Sequence, residues 1–227
     1  MDTTIRPRLV LASASPARRK LLQAAGIEPD VLVSGVDESQ VDHSTPETLS
    51  LTLARLKAAA VADRLAERTT AGTENGKQVT DRPRTLVLGC DSILAFDGEI
   101  LGKPADADDA VRRWRRMRGR SGVLHTGHSL IDVATGRELG RVAATVVHFA
   151  AVTDDEIAAY VATGEPLHVA GAFTLDGLGG PFVERVDGDP GTVIGLSLPL
   201  LRSMLGEFDL RITDFWTAGA ANGSSAG

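Results

Sequence analysis

Four short stretches of this chain carry side chains that can handle phosphate, a cation or an attacking water. The first is Ser13-Ala14-Ser15-Pro16-Ala17-Arg18-Arg19, which sets hydroxyl and guanidinium groups where a helix begins. Free backbone N–H groups and the helix dipole favour an anion there, so Ser13, Ser15 and Arg18 are candidate phosphate contacts. The alternative is that Ser15 only caps the helix while the arginines lie solvated on its surface. The second stretch joins Gly89-Cys90-Asp91-Ser92 to Gly102-Lys103-Pro104. A carboxylate rising from an apolar strand is costly to bury unless it meets a metal or another cation, which makes Asp91 the strongest single candidate for chemistry. Lys103, ahead of a rigid proline, suits a phosphate contact. The alternatives are a turn-capping aspartate and a solvated lysine.

The third stretch is Val36-Asp37-Glu38-Ser39. Glu38 follows an apolar strand and could join Asp91 in holding a magnesium-type ion through oxygen ligands, although taken alone it reads as a surface acid. The fourth, from Gly164-Glu165-Pro166-Leu167-His168 to Asp176-Gly177, is rich in small residues whose backbone can approach a ligand closely. Its alternative is an ordinary glycine-rich connection with His168 a structural histidine. His125, His128 and His148 lack the spacing of a metal site. The chain has no Gly-x-x-x-x-Gly-Lys-Ser/Thr loop, Gly-x-Gly-x-x-Gly turn, His-Glu-x-x-His pair or Gly-x-Ser-x-Gly elbow, which speaks against P-loop, dinucleotide and serine-hydrolase chemistry.

These groups need a scaffold, and the periodicity supplies one. Arg8 to Ala12 reads as a strand, and Pro16 to about Ala25 as a helix with proline in its first turn and Gly26 as its stop. Asp30 to Ser34 reads as a second strand. From Thr45-Pro46-Glu47, the residues Leu49, Leu53, Leu56, Ala60 and Val61 recur at helical spacing, with Lys57 near one edge of that helix, until the pattern fades near Glu67. Residues 68–84 are then an exposed insertion without periodicity. Thr85 to Phe96 is an apolar strand interrupted by Asp91, and Asp97-Gly98 turns it into Glu99 to Leu101. Asp106 to Met117 is helical, and Val123 to Val133 and Glu138 to Phe149 are strands joined at Thr135-Gly136. Thr153-Asp154-Asp155-Glu156 is a capping box, and Thr163-Gly164 closes the helix it starts. This order predicts an α/β fold with a mixed twisted sheet and flanking helices, a single domain over residues 8–212, and a disordered tail over 217–227.

Bulk properties narrow the function classes. The 227 residues suffice for one folding unit with a proper core, and with only 4% aromatic residues aliphatic side chains must fill it. The 24 basic and 30 acidic residues leave a net charge of −6, which argues against broad binding to nucleic-acid phosphates. The single cysteine cannot form an internal disulfide, no leader pattern is present, and no apolar run nears the roughly 20 residues that span a bilayer. A cytoplasmic location is expected, without membrane contact.

The ordered set Leu-Ala-Ser-x-Ser-Pro-x-Arg, Gly-Cys-Asp before a hairpin, Gly-Lys-Pro, Gly-Glu-Pro-Leu-His-x-Ala-Gly and Val-Ile-Gly-Leu resembles the Maf family from about Leu9 to Leu205. The resemblance implies an elongated, two-lobed fold with a central cleft, related to the inosine triphosphate pyrophosphatases. It also implies hydrolysis of a nucleoside triphosphate to the monophosphate and pyrophosphate. By it, Ser13 and Arg18 match phosphate contacts, Glu38 and Asp91 the family's acids, and Lys57 and Lys103 its lysines. Asp91 would be the proton acceptor, with magnesium or manganese as cofactor and a homodimer as an assembly that members often form. The family's link to septum formation gives an alternative: a nucleotide-binding regulator of cell division without significant turnover. Three positions depart from the family pattern. Ala17 replaces a common arginine, and Arg118-Gly119-Arg120-Ser121-Gly122 replaces a more usual Ser-Gly-Arg-x-His. His168 and Asp176 replace the Lys and Gln of the branch that hydrolyses dTTP and UTP. An acid at 176 looks closer to the branch acting on 7-methyl-GTP, because a carboxylate suits a cationic base. The base preference stays open between the two branches.

Overall fold

In the computed structural model, which describes residues 5–38, 41, 45–71 and 83–216, the sheet is organised on β3 (Thr85–Phe96). This strand pairs in parallel with β1 (Arg8–Leu11) and antiparallel with β5 (Ser121–Asp132). The two-residue β2 (Asp30–Val31) lies parallel to β1, while β6 (Glu138–Phe149) and β7 (Val183–Asp187) extend the antiparallel side. The short β4 (Glu99–Leu101) folds back on the end of β3. These seven strands form one mixed sheet in the order β2-β1-β3-β5-β6-β7, with β4 beside β3, flanked by helices as the sequence predicts.

The period of two along a strand explains the layers. Leu9, Leu11, Leu86, Leu88 and Cys90 face α1 (Pro16–Ala24) and α6 (Leu198–Glu207), where Leu22, Leu201, Met204 and Leu205 cover them. Val10, Ala12 and Val87 face the other way, onto Ala58, Val61 and Ala62 of α2 (Pro46–Ala71). Past Cys90 the packing changes. Leu94 and Phe96 belong to an aromatic core with Trp114 and Met117 of α3 (Ala107–Met117), Tyr160 of α4 (Asp154–Ala162), Phe149 and Phe173. Trp114 anchors this core: it is fully buried, edge-on to Phe149, Tyr160 and Phe182, and its Nε1 donates to Ala172 O at 2.8 Å. Truncating it to alanine would cost about 3–5 kcal/mol. Because β3 runs through both cores, Asp91 and Ser92 fall in the gap between them.

Two glycines let α2 lie close on the sheet. A Cβ at Gly89 would collide with the backbone of Ala54 and Ala58, and one at Gly127 with the backbone of Ser50 and Leu51. The approach at Gly89 presses the turn that carries Lys57 down onto β3.

Some elements differ from the sequence reading. The second strand, expected to reach Ser34, ends at Val31, with Leu32 N still bonded to Leu11 O. Beyond it, the carbonyls of Val33 and Ser34 accept from Arg64 Nη2 at 2.7 and 3.3 Å, so a side chain replaces the ladder and the segment leaves the sheet. Helix α2 passes Glu67 and continues to Ala71, so the start of the expected insertion is helical. Residues 72–82 of that insertion and the expected tail at 217–227 lie outside the described residues. Asp97 and Gly98 form the expected turn, with φ of 56° and 79°, and the capping box at Thr153 and Glu156 is formed. After Gly164, where the sequence assigned no elements, there are 3₁₀ turns at Glu165–His168, Ala170–Ala172 and Gly180–Phe182, then β7, α5 (Pro190–Ile194) and α6. Among the described residues no helix is long and apolar enough to cross a membrane.

Candidate active site

A cleft of about 560 Å³ opens where the two cores part. The start of α1 contributes Ser13, Ser15 and Arg18 to its lining, and Glu38, Lys57 and Asp91 come from the stretch after β2, from α2 and from β3. Lys103, His168 and Asp176 complete the candidates singled out from the sequence, so all nine lie on one cavity.

Asp91 is the buried acid of this cleft, 7% exposed. Its Oδ1 lies 2.5 Å from Lys57 Nζ, and the same ammonium group lies 2.7 Å from Glu38 Oε1. Lys57 is itself buried, whereas Glu38 is about half exposed at the mouth. Burial pushes the Asp91 carboxyl above its ordinary range, and the charges of Lys57 and Arg18 pull it back. The site therefore holds an acid that is easily protonated yet is flanked by cations that favour its charged form.

Arg18 is fixed from three sides. Its Nε donates to Gly195 O at 2.7 Å, Nη1 to Ser13 Oγ at 3.0 Å and Nη2 to Ser92 Oγ at 3.1 Å. Thr126 Oγ1 donates to Thr192 O at 2.8 Å, so in its 2.9 Å contact with Ser92 it accepts. A hydrogen-bonded chain thus runs from Arg18 through Ser92 and Thr126 to α5. Ser15 caps α1, its Oγ accepting from Arg18 N at 3.4 Å, while also lining the cleft. Arg19 pairs with Glu28 on the surface at 3.0 Å, so the solvated reading fits Arg19 and not Arg18.

Lys103 is exposed on the rim. Its loop is held from behind, because Gly102 O accepts from Arg113 Nη1 at 2.7 Å and from Gly171 N at 3.1 Å. His168 and Asp176 are exposed on the wall that follows α4. Ser92, the Gly195 carbonyl and the apolar lining from Phe173, Val193 and Ile194 were missed in the sequence. Ser92 had a usable signal: as the strand neighbour of Asp91 it must face the opposite side, toward α1. A backbone carbonyl such as Gly195 O leaves no such trace. Away from the cleft lining, His128 is fully buried: Nε2 accepts from Ser197 N at 2.9 Å, so Nδ1 donates to Thr126 O at 3.0 Å. Burial pushes its pKa down to about 4.

Among the described residues no three His, Cys, Asp or Glu side chains gather into a metal cage. Glu38 and Asp91 nevertheless converge on one point, and Lys57 engages one oxygen of each. A carboxylate has about four acceptor positions, so both acids retain capacity for a second cation. Two hard-oxygen donors fit magnesium, which commonly takes one or two carboxylates and fills its remaining positions with water and substrate phosphate.

The description "Maf-like protein" matches residues 8–208 of this chain. A protein of Salinispora tropica is 64% identical over 227 residues, covering 100% of this chain and 95% of its own length. One of Streptomyces coelicolor is 56% identical over 211 residues, 93% of this chain and 95% of its own. One of Trichormus variabilis is 51% identical over 216 residues, 95% of this chain and 100% of its own. All three carry the name nucleoside triphosphate pyrophosphatase, which specifies no base.

Proposed function

This chain belongs to the Maf family, and on that premise we propose that its cleft hydrolyses a nucleoside triphosphate to the monophosphate and pyrophosphate, with Asp91 as proton acceptor. The observation that carries this reading is the buried Asp91 carboxylate held at 2.5 Å by Lys57 on the cleft floor. A carboxyl raised by burial accepts a proton from water more readily than a solvated aspartate, and the neighbouring cations keep it ionised until it does. Water attacks the α-phosphorus, its proton passes to Asp91, and the bond from that phosphorus to the bridging oxygen breaks to release pyrophosphate. No covalent enzyme intermediate is needed.

Arg18 and Lys103 offset the charge that develops on the leaving pyrophosphate, and Ser13 and Ser15 contact phosphate oxygens. Arg18 is suited to this because Ser13, Ser92 and Gly195 already fix its guanidinium plane, so little ordering remains to be done when phosphate arrives. Magnesium or manganese, held by Glu38 and Asp91, would supply neutralisation of the triphosphate charge. His168 and Asp176 are the side chains that meet the base. A carboxylate at 176 suits a cationic 7-methylguanine, and dTTP and UTP are the competing substrates. The same reading has the protein act in the cytoplasm on free nucleotides as a homodimer, without nucleic acid or membrane.

The test is pyrophosphate release from dTTP, UTP, CTP, GTP and 7-methyl-GTP, with and without magnesium or manganese. Metal-dependent release is expected, and the preferred base decides between the two branches. No release from any nucleotide would sink the proposal and leave nucleotide sensing in cell division as the account of the site.

A further inference from the structure

Glu165 lies at the start of the first 3₁₀ turn after α4, part-buried beneath the cleft wall. It is not among the residues that line the cavity, yet it gathers four donors. Its Oε1 accepts from Tyr160 Oη at 3.0 Å, Thr174 Oγ1 at 2.5 Å and Gly179 N at 3.1 Å, and its Oε2 from Leu178 N at 3.0 Å. Tyr160 Oη in turn accepts from Thr174 N at 3.2 Å. One carboxylate therefore joins α4 to both ends of the segment 174–179. The chain closes tightly around it: a methyl at Gly177 would come within 2.6 Å of Glu165 Oε2, and one at Gly179 within 2.5 Å of Tyr160 Oη. Despite desolvation, these hydrogen bonds hold the Glu165 carboxyl below its usual range, as expected of an acceptor-only group among donors.

The segment so fixed presents Thr174, Leu175 and Asp176 to the cleft. A loop has no ladder to set its shape, so its geometry comes from such side-chain anchors. We propose that Glu165 is a positioning residue for substrate choice: by clamping residues 174–179 it holds Asp176 and its neighbours as a rigid wall against the nucleobase. This rests on the reading that the cleft takes a nucleoside triphosphate. The phosphate side, built on α1, β3 and the Lys103 loop, shares no hydrogen bond with Glu165, so its chemistry should be left intact when the clamp is loosened.

Glu165→Gln tests it. The glutamine carbonyl can replace Oε1, but its amide then faces the Leu178 N–H, donor against donor, which releases one end of the segment. The expected result is a KM raised about tenfold for the preferred nucleotide, a smaller rise for the others, and kcat within about twofold, the pattern of lost binding rather than lost chemistry. In hydrogen exchange the amides of Leu178 and Gly179 should lose protection while those of β3 keep theirs. Tyr160→Phe, which removes one donor to Glu165 and the acceptor for Thr174 N while leaving the carboxylate and its other three donors in place, should shift KM the same way by less, and serves if the glutamine variant folds poorly. Unchanged selectivity in an active wild-type background overturns the proposal, as does a uniform fall in kcat for every nucleotide. A wild type that neither binds nor hydrolyses any triphosphate overturns it together with the pyrophosphatase reading.

Discussion

Lys57 of α2 and Asp91 of β3, 34 positions apart in the chain, meet as a buried ion pair at 2.5 Å. Neither element alone explains the contact. It needs α2 to lie close on the sheet, which Gly89 permits, and it needs β3 to carry an acid where the two cores part.

Removing the lysine tests the electrostatics. Burial raises the Asp91 carboxyl and Lys57 opposes that shift, so Lys57→Met should raise it further. A proton acceptor works only when ionised, so activity is lost as pH falls through its pKa. The acid limb of the pH profile should therefore move to higher pH in the variant, with kcat lowered about 100-fold or more at neutral pH. An unmoved limb would show that Asp91 is not the group titrating.

The close approach of α2 can be tested by a single methyl group. Gly89→Ala forces the helix away from β3, since the clash is with backbone and not with a flexible side-chain tip. Overpacking of this kind costs about 1–3 kcal/mol, and here it should also separate Lys57 from Asp91 and lower kcat. A variant with wild-type melting temperature and turnover would contradict this account of the packing.

Arg18→Lys keeps the charge but loses the fork. One ammonium group cannot reach Gly195 O, Ser13 Oγ and Ser92 Oγ in the directions that the guanidinium does. A fall in kcat/KM of about 10- to 100-fold is expected, equivalent to about 1.4–2.7 kcal/mol. Kinetics indistinguishable from wild type would mean that Arg18 acts only as a point charge.

His128 makes stability depend on pH. Its folded pKa, about 4, lies below the ordinary histidine value of 6.5, so the unfolded chain binds more protons between those values. The stabilisation is complete above about pH 6.5 and is lost as pH falls toward 4, by up to about 3 kcal/mol. In His128→Gln, which retains an acceptor for Ser197 N without titrating, unfolding monitored across this range should vary less with pH. Equal pH dependence in both proteins would assign it to other groups.

What could be read in the sequence was what local chemistry marks. Asp91 stood out because a carboxylate in an apolar run needs a partner, and the start of α1 because hydroxyls, proline and arginine gather at a helix N-terminus. The Asp97-Gly98 turn and the Thr153 capping box are equally local. Lys57 was different: periodicity set it at an edge of α2, but its pairing depends on a glycine contact with β3, far along the chain. The end of β2 at Val31 was hidden because Arg64, on another element, takes the carbonyls that would have extended the strand. The clamp at Glu165 was illegible because backbone N–H groups, which every residue carries, supply two of its four donors.

The most direct test of the central claim compares wild type with Asp91→Asn in metal-supported pyrophosphate release, alongside melting temperature and nucleotide binding. The substitution retains the side chain's size and removes its capacity to take a proton. Release should fall by about 10²- to 10⁴-fold while the protein stays folded and still binds nucleotide. A folded Asp91→Asn that releases pyrophosphate within about tenfold of the wild-type rate would contradict Asp91 as the proton acceptor.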